Sequence, residues 1–200
     1  MTNIEGVAAG PAARGALRPG GRTERVRSAV ATLVLQYLQS GVIDFSIQDV
    51  AKQAGVARST IYARWPTREA LITEALTAHS LEFKFDAGRN WRETLRNFAF
   101  SFRDFSLRPV EIAINSLVAC SRGGFITQET QRIWSAIANA MAMHLEEARK
   151  NGEIRCDITP VHIVMSLMTS ISGLVVLAKT TPSDAFLEDI LEIHLRGCAP

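Results

Sequence analysis

Apolar side chains recur at intervals of three and four along nearly the whole sequence, and glycine or proline interrupts that rhythm wherever a helix would have to end. That pattern restricts the chain to an all-α fold, because a half-buried strand needs alternation at every second residue and no strand ladder can be read. The spacing predicts about nine helices, over residues 22–39, 46–54, 57–63, 67–85, 91–107, 109–122, 127–151, 160–179 and 183–196. The breaks between them are recognisable punctuation: Gly41, Gly55, Arg108-Pro109, Gly123-Gly124, Gly152 and Thr181-Pro182-Ser183.

Composition excludes several classes. With 47% hydrophobic and 21% charged side chains over 200 residues, a real core can form and wholesale disorder is ruled out. Cys120, Cys156 and Cys198 are few, odd in number and without a CxxC or Cys/His spacing, so neither a disulfide scaffold nor a zinc finger is expected, and the compartment reads as reducing, hence cytoplasmic. Residues 1–21 scatter Glu5, Arg14 and Arg18 among Gly, Ala and Pro without a continuous apolar stretch, and read as a flexible arm rather than a secretory signal. Residues 158–178 carry no charge, which is long enough to span a bilayer as a helix, but Pro160, His162, Ser166, Thr169, Ser170 and Ser172 within them argue for a buried helix and no membrane partner.

Charge is distributed unevenly. Residues 1–75 carry nine Lys/Arg against six Asp/Glu, whereas the remainder carries 13 against 14. A basic first third on a neutral remainder suggests a module that meets a polyanion. Within it, Ser46-Ile-Gln-Asp-Val-Ala-Lys-Gln-Ala-Gly-Val-Ala-Arg-Ser-Thr-Ile-Tyr-Ala63 reads as a helix-turn-helix. Ser46 caps the first helix, Asp49 puts a carboxylate in its first turn, Ala51 and Ala54 let the two helices cross closely, and Gly55 permits the turn. Val56 and Ile61 then anchor the second helix, leaving Arg58, Ser59 and Thr60 outward at the end that would enter a major groove. Helical hairpins that bind no nucleic acid use similar turns, so a purely structural pair stays open at this point.

The run Gly55-Val56-Ala57-Arg58-Ser59-Thr60-Ile61-Tyr62-Ala63-Arg64-Trp65-Pro66-Thr67-Arg68-Glu69-Ala70-Leu71 resembles the signature of the TetR family of bacterial transcriptional regulators. The likeness extends from Arg22 to about Ala75 and takes in Phe45-Ser46-Ile47 and the pair Tyr62 and Trp65. Trp65 stands where Phe is usual and Arg68 where Lys is usual, and both keep the chemistry. The resemblance implies a helix-turn-helix head over residues 22–66 and an effector-binding, dimerising body over residues 67–200. It also implies that Arg58, Ser59 and Thr60 touch bases or nearby phosphates, and that Tyr62 and Arg64 reach phosphates. Arg68 would clamp a phosphate at the start of the fourth helix, with Thr23 and Ser46 doing likewise at the starts of the first and second. By their residue types alone, Tyr62 reads equally as partly core, Arg64 as a solvated side chain and Lys52 as surface charge.

In the remainder, the fifth helix carries Trp91, Leu95, Phe98, Phe102 and Phe105 on one side and Phe100 and Leu107 on another, and is expected to be surrounded. Taken singly, Phe98, Phe102, Trp134, Ile137, Met141 and Met168 read as core; that some of them line an effector cavity follows from the resemblance. Arg103, Asn115, Asn139 and His144 are the few polar anchors nearby, so the expected effector is small, mostly apolar, and aromatic or multi-ring. The eighth helix is apolar on nearly all sides, and with the ninth it is expected to form a four-helix homodimer interface. His79/Glu82 and His144/Glu147 read as partly exposed polar pairs rather than metal ligands, and Cys120 as a small buried hydrophobe. No GxSxG, P-loop or GxGxxG occurs, so neither an enzyme nor a cofactor is expected. The sequence therefore predicts a repressor that leaves a palindromic operator when an apolar effector binds, the alternative being a helical small-molecule-binding or modifying protein with a structural helix-turn-helix.

Overall fold

Four side chains set where helices begin. In a computed structural model that describes residues 21–155 and 157–200, without the Arg22 side chain, the hydroxyls of Ser46, Thr67 and Ser183 and the amide oxygen of Asn90 accept from the backbone N–H three residues on. Pro109 and Pro160 open two further helices at a position where a missing N–H costs nothing. The described residues hold nine helices: α1 (Arg22–Gln39), α2 (Ile47–Gln53), α3 (Arg58–Arg64), α4 (Arg68–Ser80), α5 (Trp91–Ser106), α6 (Pro109–Cys120), α7 (Phe125–Lys150), α8 (Pro160–Val176) and α9 (Asp184–Gly197). The expected arm lies outside the described residues, apart from Gly21.

Helices α1 to α3 close around Val30, Val34, Leu38, Phe45, Val50 and Ile61, all buried. The Tyr37 and Phe45 rings stack at 5.0 Å, and Gln53 Nε2 donates to the Tyr37 hydroxyl at 2.7 Å, which ties α2 to α1. Gly55 takes φ +63° in the turn between α2 and α3, a conformation that an L side chain rarely adopts, although open space surrounds it. Helix α1 also packs along α4 and against α6, so the head rests directly on the body.

In the body, α8 packs against α5, α6, α7 and α9. Two sequence expectations need correction. Helix α4 stops at Ser80 rather than near Phe85, because Phe83 and Phe85 both enter the core while Glu82 and Lys84 stay exposed. Residues two apart share a side in extended chain and lie on different faces of a helix, so burying both rings requires the helix to end first. Phe83 then meets Phe98, Phe102 and Phe105 at 5.4 to 5.9 Å, edge to face. Nor is α5 surrounded: Arg92, Arg96 and Asp104 are exposed, and Phe100 is only half-buried beneath the guanidinium groups of Arg96 and Arg103. Among the described residues no helix is long and apolar enough to cross a membrane.

Candidate functional site

Helix α3 is held from below and open above. Ile61 is fully buried and Trp65 nearly so, whereas Arg58, Ser59, Thr60 and Arg64 are exposed and Tyr62 is half-buried. Thr23, Val26, Ser59, Thr60, Ala63 and Arg64 line one open groove between the start of α1 and the face of α3. Arg58 lies 5.6 Å from the Tyr62 ring centre and Arg64 5.5 Å from that of Trp65, with Arg64 Nη1 donating to the Thr23 carbonyl at 3.4 Å. Two of the expected phosphate contacts are engaged within the protein. The Ser46 hydroxyl caps α2 and donates to Asp49 Oδ2 at 2.6 Å, and Arg68 Nη1 donates to Asp44 Oδ1 at 2.8 Å. Asp44, in the link between α1 and α2, carried no sequence signal as a partner, because the two residues lie 24 positions apart.

In the body, a small cavity of about 20 Å³ lies between α4, α5, α6 and α7. Phe102, Trp134 and Ile137 line it, three of the six expected pocket residues. Phe98, Met141 and Met168 are fully buried and do not reach it. Its apolar wall is completed by Leu76, Phe105, Ile114 and Ile133, and its polar wall is made by His79, Ser80, Glu111 and Thr130. His79 is 4% exposed, which corrects the reading of it as a partly exposed partner of Glu82. Its ring stacks on Phe105 at 5.0 Å, and its Nε2 lies 2.9 Å from Glu111 Oε1 without making a hydrogen bond. Asn115, buried one turn along α6, donates to Glu111 Oε2 at 3.1 Å. Of the other expected anchors, Asn139 is exposed and His144 sits edge-on to Phe85. Arg103 bonds Asp184 and Asp104, and the Asp184 hydrogen bond above all raises its pKa above the usual guanidinium value.

The profile described as "Bacterial regulatory proteins, tetR family" matches residues 37–75. An uncharacterised HTH-type transcriptional regulator of Mycobacterium tuberculosis is 25% identical over 133 residues, 66% of this chain and 68% of that one. The DNA-binding transcriptional repressor TetR of Mycobacteroides abscessus is 38% identical over 71 residues, 34% of this chain and 37% of that one. The solved structure of the flavonoid-responsive regulator FrrA shares the fold, with a TM-score of 0.69 at 22% identity over 88% of this chain and 98% of that one. The chain thus matches the TetR family over residues 37–75 and shares the fold of its solved members.

The residues missed were those whose role depends on contact between distant helices: Asp44 beside Arg68, and His79, Glu111 and Thr130 around one cavity. Spacing puts His79 next to Glu82, and those atoms are indeed 3.7 Å apart, but only the tertiary packing brings Glu111 closer. Cys120, expected to be buried, is exposed at the end of α6, while Cys198 is buried and its thiol pKa is pushed up by that burial. On α8 the covered sides are apolar and the uncovered stripe runs through His162, Ser166, Thr169, Gly173 and Leu177, exposed or half-buried. Beside it Phe186 and Ile193 of α9 are exposed, and Ser166 Oγ lies 2.8 Å from His194 Nε2, joining the two helices.

Proposed function

We propose that this DNA-binding transcriptional regulator is a homodimeric repressor that places α3 of each subunit in successive major grooves of a palindromic operator and leaves when a small, mostly apolar effector enters the body. The observation that carries this reading is the polarity of α3: Ile61 is sunk in the core while Arg58, Ser59, Thr60 and Arg64 stand exposed around it. Thr23 at the start of α1 borders the same groove, which supports a phosphate contact there. Tyr62, half-buried under Arg58, is suited to holding that guanidinium as well as to touching the backbone. In this reading Arg68 and Ser46 contact phosphate only by sharing or exchanging their present carboxylate partners, Asp44 and Asp49.

The effector reading is supported by a cavity reached by the same helix, α4, that begins at Arg68 beside the head. The cavity holds little more than one water molecule, so an aromatic effector enters by moving Trp134, the half-buried ring in its wall, and by spreading into the space of Phe98, Met141 and Met168 behind. Selection of duplexes from a random pool by the full chain, followed by gel-shift of the enriched sequence against a panel of apolar aromatic compounds, tests the proposal. An inverted repeat released by at least one compound is expected; enrichment of no sequence overturns the operator reading, and release only by small hydrophilic ions overturns the effector reading.

A further inference from the structure

We infer that the effector carries an uncharged hydroxyl, and that Thr130, His79 and Glu111 form its anchor. This rests on the effector reading above and adds the chemistry of one end of the ligand. Two polar atoms on different helices have no hydrogen-bond partner among the described residues: the Thr130 hydroxyl of α7, and His79 Nε2 of α4, which has only the Glu111 carboxylate against it at 2.9 Å, off hydrogen-bond geometry. Thr130 is 7% exposed and His79 4%, and both line the same cavity. Buried polar groups are rarely left unpaired, and a buried hydroxyl without a partner, beside a His–Glu pair on the wall of the same cavity, is suited to a ligand group that bonds it.

That group has to donate and accept at once. Thr130 Oγ1 does either, Glu111 Oε1 only accepts, and His79 Nε2 accepts or donates according to its tautomer, so a hydroxyl is the smallest group that serves all three. Net charge decides against ions. Among the described residues Glu111 is the one carboxylate on the cavity wall, already placed against His79 and bonded by Asn115, while Glu129 is paired outside the wall with Arg132 and Glu82 with Arg108. A ligand carboxylate would meet Glu111 at close range, and a ligand cation would compete with His79 for it. The remaining wall is aromatic and aliphatic, with the faces or edges of Phe102, Phe105 and Trp134 around the anchor. A flat ring bearing its hydroxyl at one end matches both halves.

The test uses the full chain and three probes of one shape: 2-naphthol, naphthalene and 2-naphthoate, with affinities read by isothermal titration. Wild-type protein is expected to bind 2-naphthol about 3- to 10-fold more tightly than naphthalene, the range of one net hydrogen bond, and to bind 2-naphthoate most weakly. Thr130→Val keeps the shape and removes the unpaired hydroxyl; it should bring the naphthol preference below about twofold without lowering the melting temperature of the free protein. Thr130→Ser should keep the preference. Equal binding of naphthol and naphthalene, tightest binding of naphthoate, or no binding of naphthol at all each overturns the anchor. If other compounds still release DNA in that case, the effector reading stands without it; if naphthol binds with the expected preference and nothing releases DNA, the anchor stands and the release mechanism falls.

Discussion

A guanidinium serves DNA recognition only in so far as the protein leaves it free to reach out. Arg58 rests loosely on the Tyr62 ring and can swing to a base edge at little cost, whereas Arg68 is held by a carboxylate at 2.8 Å. Arg58→Ala is therefore expected to weaken operator binding by about 1 to 3 kcal/mol and to relax preference at one base pair in each half-site, read by gel-shift on single-base variants. Arg68→Ala should lower affinity about equally on all sequences and make the salt dependence shallower, since a phosphate contact carries no sequence information. Asp44→Asn should do the opposite, strengthening binding on every duplex by removing the competing anion. Unchanged binding in Arg58→Ala and Arg68→Ala would remove the recognition-helix assignment. The outward face of α3 was legible in the sequence because it depends only on helical spacing around Ile61. The Asp44 partnership was not, because it joins a loop and a helix that only the folded head brings together.

Elements show the same division. The caps at Ser46, Thr67, Asn90 and Ser183 act over three residues, and the helix starts they set fall within two residues of expectation. The end of α4 was misplaced because it is set by two phenylalanines seeking a cluster formed by α5, a demand that local spacing does not express. On α8 and α9 the exposed apolar side chains are the informative ones: Leu177 is 74% exposed, Ile193 65% and Phe186 39%. A charge at Leu177 or Ile193 costs the isolated subunit almost nothing, since neither is packed, but would be buried unpaired in a dimer that covers this face. Wild-type protein is expected to sediment at about 44 kDa, twice the chain mass, and Leu177→Glu or Ile193→Glu as a folded monomer of about half that. A wild-type monomer at micromolar concentration, or glutamate variants that stay dimeric, would exclude this face as the interface.

At the scale of the whole molecule, the proposed release requires that filling the body loosen the head's hold on DNA. Helix α4 runs about 20 Å from Arg68, bridged to Asp44 in the head, to His79 and Ser80 in the cavity wall. Its far end is tied to the body twice, by His79 against Glu111 and, just beyond the helix, by Arg108 donating to Glu82 at 2.7 Å. Helix α1 lies along α4 and also touches α6, so a shift of α4 relative to α6 cannot leave the head where it was. An effector that inserts between His79 and Trp134 therefore favours a different α4 position, and in a dimer a small rotation of each head changes the spacing of the two recognition helices. A coupling of this kind is reciprocal: operator DNA must weaken effector binding by the same factor by which saturating effector weakens operator binding, of the order of 5- to 150-fold. The measurement is a pair of titrations on the same dimer, compound into protein with and without operator duplex, and duplex into protein with and without compound. Unequal factors would mean that the compound acts on something other than this equilibrium, such as aggregation or a site on the DNA. Arg108→Ala, which removes the tether and the guanidinium over the Phe105 ring but leaves α3 untouched, should reduce both factors together while leaving operator affinity in the absence of compound nearly unchanged. Factors that both stay at the wild-type value in Arg108→Ala would remove the role given to α4.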